Sequence, residues 1–247
     1  MITGLRSCAA LARSVLVYHG DRARHRRMDA LYRHYVQPGD LAFDIGSHVG
    51  DRISAFRRLG ARVVALEPQP GPAAIIRLIH GRDRSVTCLR SAAGAEEGEL
   101  VLRVNSRNPT VSSLSADFVS AAQNASGWEG QEWDKTLKVP VTTLDRLIAQ
   151  FGLPSFIKID VEGFEDRVLA GLSHRVRALS FEFTTIARDN VNSCVTTLEQ
   201  LGPYRFNVAL GESHRLHFAE PVGAGVIRSF IASLPHDANS GDIYAEL

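Results

Sequence analysis

Two acidic side chains, each at the end of a short apolar run, are the first residues of this chain that point to chemistry. The stretch LAFDIGSHVGDRISAFRRLGARVVALEPQP, residues 41–70, places Asp44 near the end of one run and Glu67 directly after the next. Between them, Gly46 and Gly50 complete the pattern D-x-G-x-x-x-G, and a helical pattern follows. If both runs are parallel strands, the two acids meet at one edge of a sheet, where open α/β sheets bind their ligands.

A dinucleotide cofactor fits this arrangement poorly. A site for NAD needs the spacing G-x-G-x-x-G, which lets a pyrophosphate approach a helix N-terminus, and the sequence lacks it. Asp44 would also repel a pyrophosphate. S-adenosylmethionine has no phosphate, but it carries a cationic amine, a sulfonium and a ribose diol. Acids at two strand ends can accept hydrogen bonds from the amine and the diol, so we predict this cofactor. A plain strand-to-helix turn is the structural alternative.

Further acids follow later strand patterns. Asp160 and Glu162 come after the run SFIKI, and Glu182 is expected at the end of the neighbouring strand, in the run ALSFEF. Methyl transfer mainly requires alignment, but a hydroxyl acceptor also needs a base. Crowding raises the pKa of a carboxyl group, so these three acids are candidate catalytic residues, and His48 is a further candidate base.

The role of Glu162 stays open at this point. Our prediction includes no metal ion, although the same carboxylates are suited to hold a divalent cation that orients a diol. Glu162 could instead cap the helix that begins near Glu165.

The elements that must position these acids alternate along the chain. Strand patterns separated by helical patterns indicate a doubly wound parallel sheet in an α/β fold. The strand patterns cover residues 41–45, 61–66, 86–89, 155–160, 178–183 and 204–210. Residues 98–105 and the segment from 137 are predicted as added strands, and the C-terminal DIYAEL as one more.

A polar segment, residues 105–135, interrupts this alternation and contains both tryptophans, Trp128 and Trp133. A weakly structured stretch of this length inside a compact domain is usually functional or disordered. We predict an inserted lid over the acceptor. Its tryptophans either stack on a sugar or anchor the lid to the core.

The composition argues against several classes of protein. Lysine and arginine total 28 against 27 acids, a net charge of +1, so a general nucleic-acid binder is not expected. The 3 cysteines lack the spacing of a disulfide framework or a zinc site. No apolar stretch approaches the roughly 18 residues that a membrane span needs, so we predict no span and a cytoplasmic location.

The first 37 residues differ in charge from the rest, with seven arginines against two aspartates. Leu5, Ala9, Ala12 and Leu16 follow helical spacing, so we predict an N-terminal helical extension. The run RARHRR either meets an anionic surface or is a solvated helix face. We predict that this extension serves docking or dimer contact in a possible homo-oligomer, and that it lies apart from the cofactor site.

The sequence resembles the FkbM-type methyltransferases, and three blocks carry the resemblance. They are PGDLAFDIGSHVGDRISAFRRLGARVVALEPQP (38–70), VPVTTLDRL (139–147) and IKIDVEGFEDRVLAGL (157–172), which is followed by LSFEF. Together with residues 112–114 they cover most of 38–183. The resemblance implies a Rossmann-like sheet of about seven strands, of the class I methyltransferase type, in a methyltransferase domain over 38–247. It also implies methyl transfer from S-adenosylmethionine to a hydroxyl of a sugar or secondary metabolite, so the expected partner is a small-molecule or carbohydrate acceptor.

By position, the resemblance implies roles for individual residues. Asp44, Gly46, Ser47, His48 and Gly50 form the cofactor loop, Glu67 and Pro68 hold the ribose, Ser91 and Ala92 flank the adenine, and Asp160 lies near the methyl group. One departure concerns the start of the following helix, where His48, Asp51 and Arg52 replace more apolar residues. Two other functions stay open: an NAD-linked sugar oxidoreductase or epimerase, and a non-catalytic cofactor-binding module.

Overall fold

A seven-stranded β-sheet forms the centre of the molecule in a computed structural model that describes residues 2–247. The strands of the described chain are β1 (Leu41–Ile45), β2 (Arg62–Leu66), β3 (Val86–Leu89), β4 (Ala92–Ala93), β5 (Gly98–Val104), β6 (Lys135–Thr142), β7 (Phe156–Ile159), β8 (Ala178–Thr184), β9 (Arg205–Leu210) and β10 (Ser240–Glu246). The α-helices are α1 (Ile2–Gly20), α2 (Arg22–Tyr32), α3 (Asp51–Arg58), α4 (Pro70–His80), α5 (Ala116–Gln123), α6 (Leu144–Phe151), α7 (Glu165–Ala170), α8 (Arg188–Leu201) and α9 (Ala224–Ser233).

The order of strands in the central sheet is β3-β2-β1-β7-β8-β10-β9. The strands run parallel except β10, which is antiparallel to both of its neighbours. The predicted Rossmann-like, doubly wound α/β fold is confirmed, and the sheet departs from parallel order at β10, which lies beside the edge strand β9. The chain passes from β1 to β2 and β3 on one side and later returns to β7 on the other. The strand order therefore reverses between β1 and β7, which is where such sheets bind ligands.

Both faces of the sheet are covered, which explains why its strands are continuous apolar runs. In β1, Leu41, Phe43 and Ile45 pack into the core on one face with residues of α6, α7, α8 and α9. Ala42 points to the opposite face, where α2, α3 and α4 supply the core. Met28 and Tyr32 of α2 are fully buried there, so the second helix of the basic N-terminal segment packs on the same sheet.

The two added strands predicted from sequence form a second, smaller sheet. β5 pairs with β6 in antiparallel orientation, and the two-residue strand β4 pairs parallel to β6. β4 is too short to leave a periodic pattern in the sequence. This sheet follows β3 directly and lies beside the segment that the sequence marked as a lid.

Residues 105–134 are more structured than expected. They contain a short 3₁₀ helix, Pro109–Val111, and the helix α5. Side-chain hydrogen bonds tie the two ends of the segment together, because Ser106 Oγ donates to Asp134 at 2.6 Å and Asn105 Nδ2 donates to Gln131 at 2.8 Å. The expectation of a weakly structured stretch is therefore wrong.

Among residues 2–247, no helix combines the length and the apolar character that crossing a membrane requires.

Candidate active site

A cavity opens at the carboxyl ends of β1, β2 and β7, where the strand order reverses. The predicted site residues that line it are Asp44, Gly46, Ser47, His48, Glu67, Pro68, Ser91, Ala92, Asp160, Glu162 and Glu182. Gly50 is the exception. It has a left-handed backbone, φ +83°, and forms the N-cap of α3 behind the cavity wall.

The loop after β1 is pressed against the end of β7. The backbone amides of Gly46 and Ser47 both donate to the carbonyl of Leu66 at 3.0 Å. Gly46 has φ +87°, and a Cβ atom there would lie 1.8 Å from the carbonyl oxygen of Asp160. Only glycine fits this position, and its small size lets the loop bring Asp44 and Asp160 to the same cavity.

Glu67 is almost fully buried and is held by backbone amides. Its Oε1 accepts from the amide of Gln69 at 2.7 Å, and its Oε2 accepts from the amide of His48 at 2.9 Å. Burial nevertheless raises the pKa of Glu67 to about 8, although these two hydrogen bonds oppose the shift. Each carboxylate oxygen retains a lone pair for a further donor, so a diol in the cavity suits this residue.

Asp44 is buried with 1% of its surface exposed. In the described chain its Oδ2 atom has no hydrogen-bond partner. Burial raises the pKa of Asp44 to about 7, and repulsion from Asp51 adds to the effect. A buried carboxylate oxygen without a partner fits a cationic amine, so Asp44 and Glu67 together fit S-adenosylmethionine.

His48 joins the loop to the cavity wall. Its ring packs edge-on against Tyr18 with centroids 5.8 Å apart, and its Nε2 lies 3.4 Å from the hydroxyl oxygen of Thr110. Within residues 2–247 the Nδ1 atom is buried without a partner. Burial lowers the pKa of His48, which favours the neutral ring that can accept a proton.

The three candidate catalytic carboxylates lie together. Asp160, Glu162 and Glu182 each offer one carboxylate oxygen within 4.8 Å of the others. Burial and then repulsion from Asp160 raise the pKa of both Glu162 and Glu182 well above the usual range. The sequence correctly placed these acids at one sheet edge, although Glu182 lies within β8 rather than at its end.

Glu162 is directed to the cavity by a tight turn. The carboxylate of Glu165 accepts from the amides of Val161 and Gly163, each at 3.2 Å, so the turn wraps around it. Ser113 Oγ donates to the Glu162 carbonyl at 2.6 Å, and Glu162 has a left-handed backbone with φ +54°. The N-cap of α7 is Phe164, so the alternative in which Glu162 caps this helix does not hold.

The inserted segment roofs one side of the cavity with Pro109, Thr110, Ser112 and Leu114. Gln69 Nε2 donates to the Pro109 carbonyl at 3.1 Å, which ties the roof to the end of β2. Gln69 and Thr110 were not predicted as site residues from the sequence, because neither belongs to the motifs that indicated the site.

The two tryptophans anchor this roof and do not line the cavity. Trp128 and Trp133 pack edge-on against Phe118 with centroids 5.3 and 6.5 Å away. Trp133 Nε1 also donates to the Val111 carbonyl at 2.8 Å. Of the two alternatives for these residues, these contacts favour the anchoring one.

The basic N-terminal segment reaches the cavity, which corrects the expectation that it lies apart from the site. Tyr18 of α1 lines the wall beside Asp51 and Arg52. Arg24 of α2 forms a buried ion pair of 2.7 Å with Asp51 and a second contact of 2.9 Å with Glu212. Burial opposes ionisation of Asp51, but Arg52 and Arg24 hold its pKa down to about 2.

Glu212 is a further cavity residue that the sequence analysis missed. It lies two residues after the end of β9, as the other acids lie at or near the ends of their strands, and that position was the available signal. His214 Nε2 lies 3.2 Å from its carboxylate. Glu212 therefore connects the loop after β9 to the arginines of α2 and α3.

Three solved structures to which this chain is similar have low sequence identity to it. A precorrin-6Y C5,15-methyltransferase from Geobacter metallireducens is 14% identical, with 90% of this chain and 88% of that chain covered and a TM-score of 0.48. A putative O-methyltransferase from Klebsiella pneumoniae is 10% identical, with 96% and 89% covered and a TM-score of 0.48. Fibrillarin from Aeropyrum pernix, solved with natively bound S-adenosyl-L-methionine, is 10% identical, with 85% and 68% covered and a TM-score of 0.46. These likenesses say nothing of the reaction. No curated protein sequence matches the chain significantly.

The family is shown by the sequence itself. Residues 44–233 match the family described as the methyltransferase FkbM domain, which is more than half of the chain. The matched range begins at Asp44 and includes Asp160, Glu162, Glu182 and Glu212. The chain therefore belongs to the FkbM methyltransferase family, and its fold is a Rossmann-like α/β fold with a seven-stranded central sheet.

Proposed function

We propose that this protein transfers a methyl group from S-adenosylmethionine to a hydroxyl oxygen of a sugar or another small metabolite. The observation that carries the proposal is the pair of buried carboxylates, Asp44 and Glu67, at neighbouring strand ends in one cavity. Family membership supports methyl transfer, while the oxygen acceptor is our inference from the adjoining acids.

In this proposal each cofactor group has a protein partner. Asp44 accepts hydrogen bonds from the amine, Glu67 accepts them from the ribose hydroxyls, and Ser91 and Ala92 flank the adenine. Asp160 lies next to the sulfonium end. When bound, S-adenosylmethionine supplies an electrophilic methyl group, so the acceptor oxygen forms a C–O bond as the C–S bond breaks and its electron pair passes to sulfur.

The acceptor proton needs a destination at the same end of the cavity. Glu162 and Glu182 are suited to take it, because burial and then repulsion from Asp160 raise their pKa values and so increase their basicity. His48, whose neutral ring is favoured by burial, is the other candidate. General-base catalysis contributes about 10²–10⁴-fold to a rate, so one of these groups matters to turnover.

The competing functions fit less well. A dinucleotide would place its pyrophosphate beside the buried Asp44, and the loop lacks the three glycines of such sites. A non-catalytic module has no need of three carboxylates around the place of the methyl group. A cytoplasmic location, a carbohydrate acceptor, no nucleic-acid partner, a possible homo-oligomer and a lid role for residues 105–135 remain predictions.

The test is calorimetric titration of the protein with S-adenosylmethionine, its demethylated product and NADH. We expect the first two to bind and NADH not to bind. Glu67→Ala should weaken cofactor binding by roughly 10–100-fold, because a charge-assisted bidentate contact is lost. Glu96→Ala, a change at an exposed acid in the loop before β5, is the matched control and should bind like the unmodified protein. Heat from NADH with none from S-adenosylmethionine would overturn the proposal.

A further inference from the structure

We propose that Asp160, Glu162 and Glu182 bind a hard divalent cation, of the kind of Mg²⁺, Mn²⁺ or Ca²⁺, at the acceptor end of the cavity. The sequence alone favoured a site without metal. The arrangement of these side chains in the folded chain favours the alternative that the sequence left open.

The spacing of the carboxylate oxygens suits such an ion. The three oxygens all lie within 4.8 Å of one another. Oxygen ligands of Ca²⁺ stand at about 2.3–2.6 Å from the ion, so ligands on opposite sides are about 4.6–5.2 Å apart and neighbouring ligands are closer. Mg²⁺, with ligands at about 2.0–2.1 Å, would need the side chains to close by less than about 1 Å.

The hydrogen bonding of these side chains is an independent observation that points to a ligand. Glu162 is 7% exposed, and across residues 2–247 its carboxylate accepts no hydrogen bond from the protein, although its carbonyl does. The Oε2 atom of Glu182 is likewise buried without a partner in the described chain. A carboxylate that is removed from water without a donor is costly, and a cation satisfies several such oxygens at once.

The charge around the cluster leaves room for a cation. Lys158 is fully buried, and its Nζ lies 3.2 Å from the Asp160 carboxylate. The same ammonium group contacts Asp242 more closely, at 2.6 Å, so its charge is shared between two carboxylates. Glu162 and Glu182 are left with no ion pair among the residues described. A divalent cation between the three acids would offset the repulsion among their ionised carboxylates and so favour the charged forms.

The position of the site suggests what the ion would do, and this role rests on the proposed function. All three acids line the cavity that also contains Asp44 and Glu67. Three protein ligands do not fill the coordination shell of a hard cation, so water or acceptor hydroxyls complete it. A hydroxyl bound to a cation gives up its proton more readily, and two hydroxyls on one ion are held in a fixed orientation.

The experiment measures ion binding on the full chain without cofactor or acceptor. After removal of metals with a chelator and exchange of the buffer, Mn²⁺ is titrated and the free ion is followed by electron paramagnetic resonance. We expect one ion per chain with a dissociation constant between about 10⁻⁶ and 10⁻³ M. Glu162→Gln and Glu182→Gln keep the shape of the side chains and should each weaken binding at least ten-fold. Asp117→Asn, at an exposed position of α5, removes a nearby charge outside the cluster and should leave binding unchanged.

Either of two results overturns the inference. One is the absence of Mn²⁺ binding to the unmodified protein at millimolar concentration, a result that needs no variant to fold. The other is unchanged binding in both glutamine variants, which circular dichroism must show to be folded. The outcome is separate from that of the cofactor titration, because the protein can bind S-adenosylmethionine without the ion and the ion without S-adenosylmethionine.

Discussion

Among the carboxyl groups that line the cavity, Asp44 has a pKa well above that of an ordinary aspartate. It lies under the glycine loop with 1% of its surface exposed, and burial raises its pKa to about 7. Asp51 repels its charge, whereas Arg52 and Lys158 attract it. In the ligand-free protein, Asp44 therefore favours the folded state only while it holds a proton.

Asp44→Asn tests this at the scale of one residue. Between about pH 4 and pH 7 the folded protein holds a proton on Asp44 that the unfolded chain has lost, so stability falls as the pH rises through this window. The asparagine side chain has no such proton to lose. From pH 5 to pH 8 the unmodified ligand-free protein should lose about 3 kcal/mol in free energy of unfolding that the variant keeps. Urea denaturation at both pH values measures the difference, and parallel pH profiles would contradict the prediction.

At the scale of elements, the inserted segment is a braced roof rather than a loose loop. Its short 3₁₀ helix and the residues after it line the cavity, while α5 and the tryptophans hold it from behind. Trp133 provides the direct link, because its ring packs on Phe118 and its Nε1 donates to the Val111 carbonyl. Any closing movement of this segment over an acceptor would have to carry the Trp133 contacts with Phe118 and Val111 along.

Trp133→Phe removes the donor while keeping an aromatic ring against Phe118. One hydrogen bond contributes about 0.5–1.5 kcal/mol, so we expect faster amide exchange across residues 109–114 and cofactor binding weaker by about 2–10-fold. Hydrogen–deuterium exchange and calorimetry measure the two effects. Trp128→Phe is the matched control, since the Trp128 ring also packs on Phe118 but makes no side-chain hydrogen bond within residues 2–247. Equal exchange in the two variants would show that the hydrogen bond does not brace the roof.

At the scale of the whole molecule, an ionic cluster of buried Arg24, Arg52 and Asp51 with the exposed Glu212 joins the N-terminal segment to the loop after β9. Arg24 of α2 and Arg52 of α3 both contact Asp51, and both also reach Glu212 in the loop after β9. Asp51, one of the residues at the start of α3 that replace more apolar ones, thus pairs with Arg24 of the basic N-terminal segment. This arrangement gives the segment a structural role at the cavity wall, beside any role in docking or association.

Arg24→Met retains an aliphatic side chain of similar length but leaves Asp51 with Arg52 as its ionic partner. The loss of a buried charge-assisted hydrogen bond should lower the free energy of unfolding by about 1.5–3 kcal/mol at neutral pH. Arg26→Met, at an exposed position of the same helix, should change it by less than about 0.5 kcal/mol. Urea denaturation of both variants provides the comparison. If the two substitutions had equal effects, the cluster would not hold α2 to the rest of the molecule.

The sequence by itself determined the sheet edge and most of its acids. Asp44, Glu67 and Asp160 each lie at the end of an apolar run, and parallel strands bring their carboxyl ends to one edge whatever the details of packing. The sequence also predicted the glycine loop, because Asp44, Gly46 and Gly50 follow the spacing D-x-G-x-x-x-G between a strand pattern and a helical pattern. These features depend on local periodicity and on covalent geometry, which neighbouring residues encode.

The tertiary structure decided the rest. Tyr18, Thr110 and Glu212 reach the cavity from three distant parts of the chain, and no local pattern encodes a contact between them. The pairing of β5 with β6 in a separate sheet and the antiparallel direction of β10 likewise depend on which edges meet in the folded chain. The same is true of the spacing among Asp160, Glu162 and Glu182, because the turn around Glu165 and the register of β8 beside β7 set it.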